Sequence, residues 1–175
     1  IMLIPVLFSN SLFYCLPNVQ ASHFRFGHLT WFPTATPNTA EFVLTAAFRR
    51  SGYSGSAPDG DPAVGDIITE NIGGTGLTFG DGTSTGTLDF LVTSIDVANN
   101  VITGVALDPG TVKPNVTHTY PSPLNAGSPW LAVVNDCCRI GNLENSSSDF
   151  YRVETNVRFD LSNNSPVSSL PTIVN

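Results

Sequence analysis

Glycine and proline interrupt this chain so often that long helices have no room to form. Its 175 residues include 15 glycines and 13 prolines, and no stretch sustains the 3.6-residue apolar spacing of an amphipathic helix. Between the interruptions lie short runs rich in Val, Ile, Phe and Thr, which are residue types that favour strands. The sequence therefore predicts an all-β fold made of many short strands.

Turn-forming residues separate the predicted strands. Gly80-Asp-Gly82 is a strong turn signal, and Ala98-Asn-Asn100 lies between two apolar runs as in a β-hairpin. The predicted strands cover residues 23–32, 41–50, 66–70, 77–79, 87–97, 101–107, 116–120, 130–134, 139–143 and 150–161. In the last of them apolar residues alternate with polar ones, so one face is expected to meet water. Many short strands with no helix between them indicate an antiparallel β-sandwich of the Ig-like or PKD-like kind.

Three segments are expected along the chain. Residues 1–21 form an apolar N-terminal segment, residues 22–161 a β-sandwich domain, and residues 162–175 an extended linker or exit strand rich in Ser and Pro. With 41% hydrophobic residues, the chain can fill the core of one domain of this size.

The first 22 residues carry no charged side chain and open with the apolar run IMLIPVLF. A signal peptide would explain this run and the small residue Ala21 before a cleavage site, although a basic n-region and an initiator Met are missing. A membrane helix fits less well, because Pro5 and Pro17 interrupt a stretch already shorter than the roughly 20 residues that a bilayer requires. We therefore expect no membrane span.

The interpretation that we favour for this segment is a retained strand that inserts into a neighbouring copy of the chain. Apolar side chains fill both of its faces, as in a strand buried within a sheet core. The predicted assembly residues are Ile1, Leu3, Ile4, Val6, Leu7 and Phe8. Because the donor and acceptor surfaces differ, the contact would be heterologous and would build a filament unless the rotation between subunits closes a ring.

Low charge limits the partners of the chain. Only 12% of residues are charged, the net charge is −7, and Lys113 is the single lysine. Nucleic acids are not expected partners, since they require basic patches. Solubility would come from Ser, Thr and Asn or from attached sugars, which suits an extracellular protein. The candidate N-glycosylation sites are Asn115, Asn145 and Asn163.

The three cysteines, Cys15, Cys137 and Cys138, are candidates for disulfide bonds. The two neighbouring cysteines can pair with each other, or one of them can bridge to Cys15 within or between subunits. Three reduced, buried cysteines are the remaining alternative. A structural zinc site is not expected, because the sequence contains no CxxC motif and no Cys/His cluster.

The sequence offers few groups for catalysis, so we expect no enzyme. It contains no GxSxG, HExxH or P-loop motif. The acidic loop carries hard oxygen ligands in Asp59, Asp61 and the nearby Asp66, which are weak candidates for calcium. Asp-Gly pairs also occur because they form turns. Apart from glycans and this calcium alternative, no cofactor or metal is expected.

Two sets of motifs carry a resemblance to known families. Phe79-Gly-Asp-Gly82, followed by His118-Thr-Tyr120-Pro121, resembles the strand signatures of PKD-type extracellular sandwiches. Ser22-His-Phe-Arg25, Cys137-Cys-Arg139 and the segment SPVSSLP at 165–171 are similar to a family of secreted β-sandwich modules. That resemblance implies an extracellular, often tandem, structural or adhesive role without catalysis. With its apolar start, the chain also resembles subunits of helical extracellular glycoprotein fibrils that assemble by strand exchange.

The sequence thus predicts a secreted structural subunit that polymerises head to tail with copies of itself. The alternative from another class is a monomeric cell-surface adhesion module that binds glycan or calcium, with residues 1–21 as its signal peptide. In that alternative the aromatic residues Trp31, Tyr53 and Trp130 are candidates to line a sugar site, although buried core or rim positions are expected more for each of them.

Overall fold

A computed structural model describes residues 24–53, 60–136 and 150–160 of the chain. Strands and two short 3-10 turns make up its regular structure, and the turns cover Arg50–Tyr53 and Ile72–Gly74. The strands are β1 (Phe24–Pro33), β2 (Thr39–Arg49), β3 (Ile67–Glu70), β4 (Leu77–Thr78), β5 (Leu88–Asp96), β6 (Val101–Ala106), β7 (Val116–Thr119), β8 (Trp130–Asp136) and β9 (Tyr151–Val157).

The strands form two antiparallel sheets that pack face to face. One sheet has the order β1-β2-β6-β5-β3, with β7 paired to β2, and the other has the order β4-β8-β9. The predicted all-β sandwich is therefore confirmed. Strand β2 is long enough to pair with β1 along one edge and with both β6 and β7 along the other.

The core lies between the two sheets. Alternate residues of β2, including Phe42, Leu44 and Phe48, are almost fully buried, whereas their neighbours Val43 and Thr45 are only half-buried. This alternation follows from the two-residue period of a strand. Each large apolar side chain buried in this way contributes roughly 1.5–3 kcal/mol to the free energy of unfolding.

Strands β1 and β9 belong to different sheets but pack along each other. Phe24 stacks on Tyr151 with ring centroids 3.7 Å apart. Further along, Trp31 Nε1 donates a hydrogen bond of 2.8 Å to the carbonyl oxygen of Asn156, and its ring meets Phe159 edge-on. Because both contacts advance in the same chain direction, β1 and β9 run parallel across the sandwich.

Most strand boundaries agree with the sequence prediction to within one or two residues. Strand β1 includes Pro33 as its last residue, and the expected alternation of buried and water-facing residues is present in β9. The hairpin predicted at Ala98-Asn-Asn100 joins β5 to β6, with Asn100 at a φ of 55°. The strand predicted for residues 139–143 lies outside the described residues.

The connection from β4 to β5 folds back on itself and positions the candidate site. The amide N–H of Phe79 donates to the carbonyl of Thr83, and that of Thr85 donates to Leu77. The turn between them is the predicted Gly-Asp-Gly, in which Gly80 and Gly82 both adopt the positive φ that glycine tolerates. This turn presents Asp81 to β7.

Candidate functional site

A solvent-open cavity of about 440 Å³ lies between the β4–β5 connection and the strand β7. Loop residues before β7 complete its wall. The residues that line it are Phe79, Thr83, Ser84, Thr85, Asp108, Pro109, Val116, Thr117 and His118. A volume in this range is typical of small-molecule pockets.

A hydrogen-bonded pair of Asp81 and His118 supports the cavity wall. His118 Nε2 lies 2.7 Å from Asp81 Oδ2, and the two side chains are only 15% and 6% exposed. Burial alone would raise the pKa of Asp81. The hydroxyl and amide N–H of Thr83 donate hydrogen bonds to its other oxygen, however, and together with His118 they bring the pKa below its ordinary value. An ionised Asp81 can only accept, so His118 Nε2 carries the proton of this pair.

Aromatic rings hold His118 in place from the core side. Its imidazole stacks on Phe79 with centroids 3.8 Å apart and planes almost parallel. Tyr120 meets the same imidazole edge-on at 4.6 Å and stacks in turn on Trp130. His118 is thereby fixed in orientation by packing and hydrogen bonding together.

Some of the polar groups in the cavity have capacity for a ligand. Within the described ranges, the Ser84 hydroxyl and Asp108 Oδ2 make no hydrogen bond, while Asp108 Oδ1 accepts one of 2.8 Å from the Thr117 N–H. The Thr117 hydroxyl accepts from Lys113 Nζ at 3.5 Å and keeps its own proton to donate. The Thr85 hydroxyl is already engaged by Leu77 and Gly86. The site can therefore both donate and accept hydrogen bonds.

The cavity contains the residue types of a hydrolytic triad but not the geometry. Ser84 and His118 line it and Asp81 is hydrogen-bonded to His118, yet no hydrogen bond joins Ser84 to His118 in the described part of the chain. Nucleophilic catalysis requires that contact, so that the imidazole can take the hydroxyl proton. The arrangement suits binding better than acyl transfer. That the chain is not an enzyme stays a prediction.

Comparison with known proteins identifies the family of the chain by sequence. The family described as "Integrin beta-like protein A-E, N-terminal" matches residues 25–160. The chain belongs to this family. Among curated members, Integrin beta-like protein C of Dictyostelium discoideum is 33% identical over 163 residues, which is 89% of this chain. Integrin beta-like protein B of the same organism is 32% identical over 162 residues, also 89% of this chain.

These integrin beta-like relatives are far longer than the region they share with this chain. The matched region spans 8% of Integrin beta-like protein C and 7% of Integrin beta-like protein B. No solved structure matches the chain. In the ranges that the structure describes, no helix is long and apolar enough to cross a membrane.

The residues predicted to bind calcium that lie in the described ranges have protein partners. Asp61 forms an ion pair of 3.1 Å with Arg50, and Asp66 accepts a hydrogen bond of 2.7 Å from the N–H of Ala63. No group of three or more His, Cys, Asp or Glu side chains suited to a metal occurs between residues 24 and 160 where the structure describes them. The third candidate, Asp59, lies outside those ranges, so calcium stays a prediction.

One predicted glycosylation site is described. Asn115 is half-buried at a φ of 70°, and its Nδ2 donates a hydrogen bond of 2.7 Å to Glu41. The other predicted modification, disulfide and assembly residues lie outside the described ranges and stay predictions. They are Asn145, Asn163, Cys15, Cys137, Cys138, Ile1, Leu3, Ile4, Val6, Leu7 and Phe8.

The aromatic residues considered for a sugar site belong to the core instead. Trp31, Tyr53 and Trp130 are each less than 10% exposed. Trp31 donates to Asn156, and Trp130 Nε1 donates to the carbonyl of Ser122. The buried positions that the sequence favoured for these rings over a sugar site are therefore confirmed.

The sequence did not predict the cavity, although two of the segments that meet beside it carry a recognisable motif. The segments that carry the PKD-type resemblance, Phe79–Gly82 and His118–Pro121, meet through the contact of Asp81 with His118. Assignment to PKD-type domains stays a prediction. Asp108 and Ser84 gave no signal, because each lies in an ordinary polar loop and acquires its place only when distant strands pair.

Proposed function

We propose that this chain is an extracellular adhesion module of a larger integrin beta-like protein, and that the cavity beside His118 is its contact site. The name of the relatives points to adhesion. The observation that carries the proposal is the free hydrogen-bonding capacity of Ser84 and Asp108 at the wall of one cavity. Asp108 is half-buried, and such polar groups usually find partners within their own protein. Its unbonded oxygen, beside the exposed Ser84 hydroxyl, therefore favours binding from outside.

Bead adhesion tests this proposal directly. Beads coated with the 175-residue chain would be presented to Dictyostelium discoideum cells and to their extracellular matrix, and retention under flow would be measured. Ser84→Arg places a long side chain in the mouth of the cavity and should lower retention at least several-fold. Thr87→Arg adds the same side chain at an exposed position of the same connection that does not line the cavity, and should retain adhesion. Equal retention of both variants would exclude the cavity as the contact site.

Head-to-tail polymerisation by strand insertion is a second candidate. It is supported by the uncharged start of the chain, which leads directly into β1 at an edge of the larger sheet. β-Strand addition at a sheet edge is an established mode of assembly. In this candidate the N-terminal segment of one subunit completes the neighbouring one.

Two measurements test whether the protein polymerises by strand insertion, and the first uses native material. N-terminal sequencing that begins near residue 22 would exclude the mechanism, because the donor segment would have been removed. If the segment is retained, light scattering of a variant lacking residues 1–16 should show monomers where the full chain shows large assemblies. Persistence of the assemblies would contradict strand insertion.

A further inference from the structure

We infer that the cavity beside His118 binds a neutral sugar ring. This inference rests on the proposed contact site and names the class of ligand. A sugar ring combines apolar C–H faces with hydroxyl groups that both donate and accept hydrogen bonds. The cavity offers a counterpart to each of these properties.

The charge of the site favours a neutral ligand. Asp108 is the free carboxylate at the wall, since Asp81 is engaged by His118 and Thr83. Lys113 Nζ lies 3.5 Å from the Thr117 hydroxyl, so one positive charge lies beside the wall that carries Asp108. Among the described residues no arginine lines the cavity, and binding of phosphate, sulfate or carboxylate groups normally uses arginine clusters or several cations. Neither an anion nor a simple cation would therefore gain much electrostatic stabilisation in this cavity.

The polar groups match the hydrogen-bonding pattern of sugar hydroxyls. Ser84 can donate and accept, Asp108 Oδ2 can accept, and the Thr117 hydroxyl retains a proton to donate. Thr117 is further aligned because its N–H donates to Asp108 Oδ1. A site built around hydroxyl recognition rejects analogues that lack the hydroxyl, since its own polar groups are then left unpaired.

Apolar surface is present between these polar groups. The ring of Pro109 supplies most of it, because the other two apolar lining residues, Phe79 and Val116, are only 4% and 1% exposed. Small-molecule sites usually combine such apolar lining with a few oriented polar groups. The cavity of about 440 Å³ has room for one ring and part of a second.

The sugar can come from either of two sources. It can belong to another molecule, or to a glycan on Asn115 of the same chain, because Asn115 directly precedes Val116 and Thr117 in the cavity wall. The attached nitrogen of a glycosylated Asn115 would keep one hydrogen for its bond to Glu41. Both sources would present the same chemistry to the cavity. Substitution of Asn115 would remove the chain's own glycan but not a sugar on another molecule.

Glycan-array binding followed by calorimetry tests the inference. The secreted 175-residue chain should bind one or more neutral glycans, with loss of at least tenfold in Ser84→Arg and little change in Thr87→Arg. Asp108→Asn keeps an acceptor for the Thr117 N–H but exchanges the free acceptor for a donor, and a tenfold weakening is expected. Thermal denaturation of each variant verifies that it is folded.

Asn115→Gly distinguishes the sources. Glycine adopts the positive φ of this position without strain and removes the glycosylation site. Binding of added sugar that appears only in Asn115→Gly shows that the chain's own glycan fills the cavity. Absence of neutral-glycan binding in both forms, or binding of anionic glycans alone, overturns the inference. If adhesion of beads is nevertheless lost in Ser84→Arg, the contact site stands and only the sugar fails.

Discussion

A half-buried carboxyl at the end of β3 makes the stability of this domain sensitive to pH near neutrality. Glu70 pairs with Leu88 and points toward the core, and burial together with the nearby Asp136 raises its pKa from 4.5 to about 7. Tyr151 lies close enough for the same two carboxyls to raise its pKa as well, in addition to the larger effect of burial. The three acidic groups therefore crowd one corner of the sandwich.

The sign of the effect follows from proton binding. Below pH 4.5 Glu70 is protonated in both the folded and the unfolded chain. Between pH 4.5 and 7 the unfolded chain loses this proton first, so the free energy of unfolding falls as pH rises. The pKa difference of 2.5, from 4.5 to 7, corresponds to about 1.36 kcal/mol for each pKa unit. The free energy of unfolding above pH 7 is therefore about 3 kcal/mol lower than it is below pH 4.5.

Glu70→Gln removes this titration while keeping the shape of the side chain. We expect the free energy of unfolding of the variant to exceed that of the parent protein by up to about 3 kcal/mol at pH 8 and to differ little from it at pH 4. Urea denaturation followed by tryptophan fluorescence at several pH values gives both numbers.

The matched control is Asp89→Asn on the neighbouring strand β5. Asp89 faces water and accepts a hydrogen bond from Thr69, which asparagine can also accept. Its substitution should change stability by less than about 0.5 kcal/mol at either pH. A Glu70→Gln difference that is the same at pH 4 and pH 8 would refute the reasoning, because it could not arise from the carboxyl proton.

Four further substitutions test the packing of the two sheets and of the site. Thr155 is fully buried and its hydroxyl has no hydrogen-bond partner among the described residues, so Thr155→Val should raise the urea midpoint by the equivalent of about 1 kcal/mol. Gly76→Ala would bring a methyl group into overlap with the carbonyl of Gly86 and should lower the free energy of unfolding by more than about 2 kcal/mol. Gly82 has open space around it, so Gly82→Ala should lower that free energy by only about 1 kcal/mol, through backbone strain. Differential scanning calorimetry measures both changes. Asp81→Asn should lower the melting temperature at pH 7 but not at strongly acidic pH, because the lowered pKa of Asp81 provides stability above pH 3.8 that is lost as pH falls through the folded value.

Local patterns in the sequence were sufficient to predict the strands and the main turns. The alternation in β9 and the Gly-Asp-Gly turn depend on residues only a few positions apart, and both are present. Pairings between distant segments could not be read in this way. Asp81 and His118 are 37 residues apart and meet only because β7 pairs with β2 beside the β4–β5 connection. The burial of Glu70 has the same origin, since nothing in its local sequence indicates that it faces the core.

The parallel course of β1 and β9 has a mechanical consequence. Phe24 and Phe159 lie toward opposite ends of this strand pair, so tension applied through the two flanks of the domain would slide one strand lengthwise over the other. The stack of Phe24 on Tyr151 and the hydrogen bond from Trp31 to Asn156 would then have to break together, not one after another. A domain held at both flanks would in this way resist pulling through the contact between its first and last described strands.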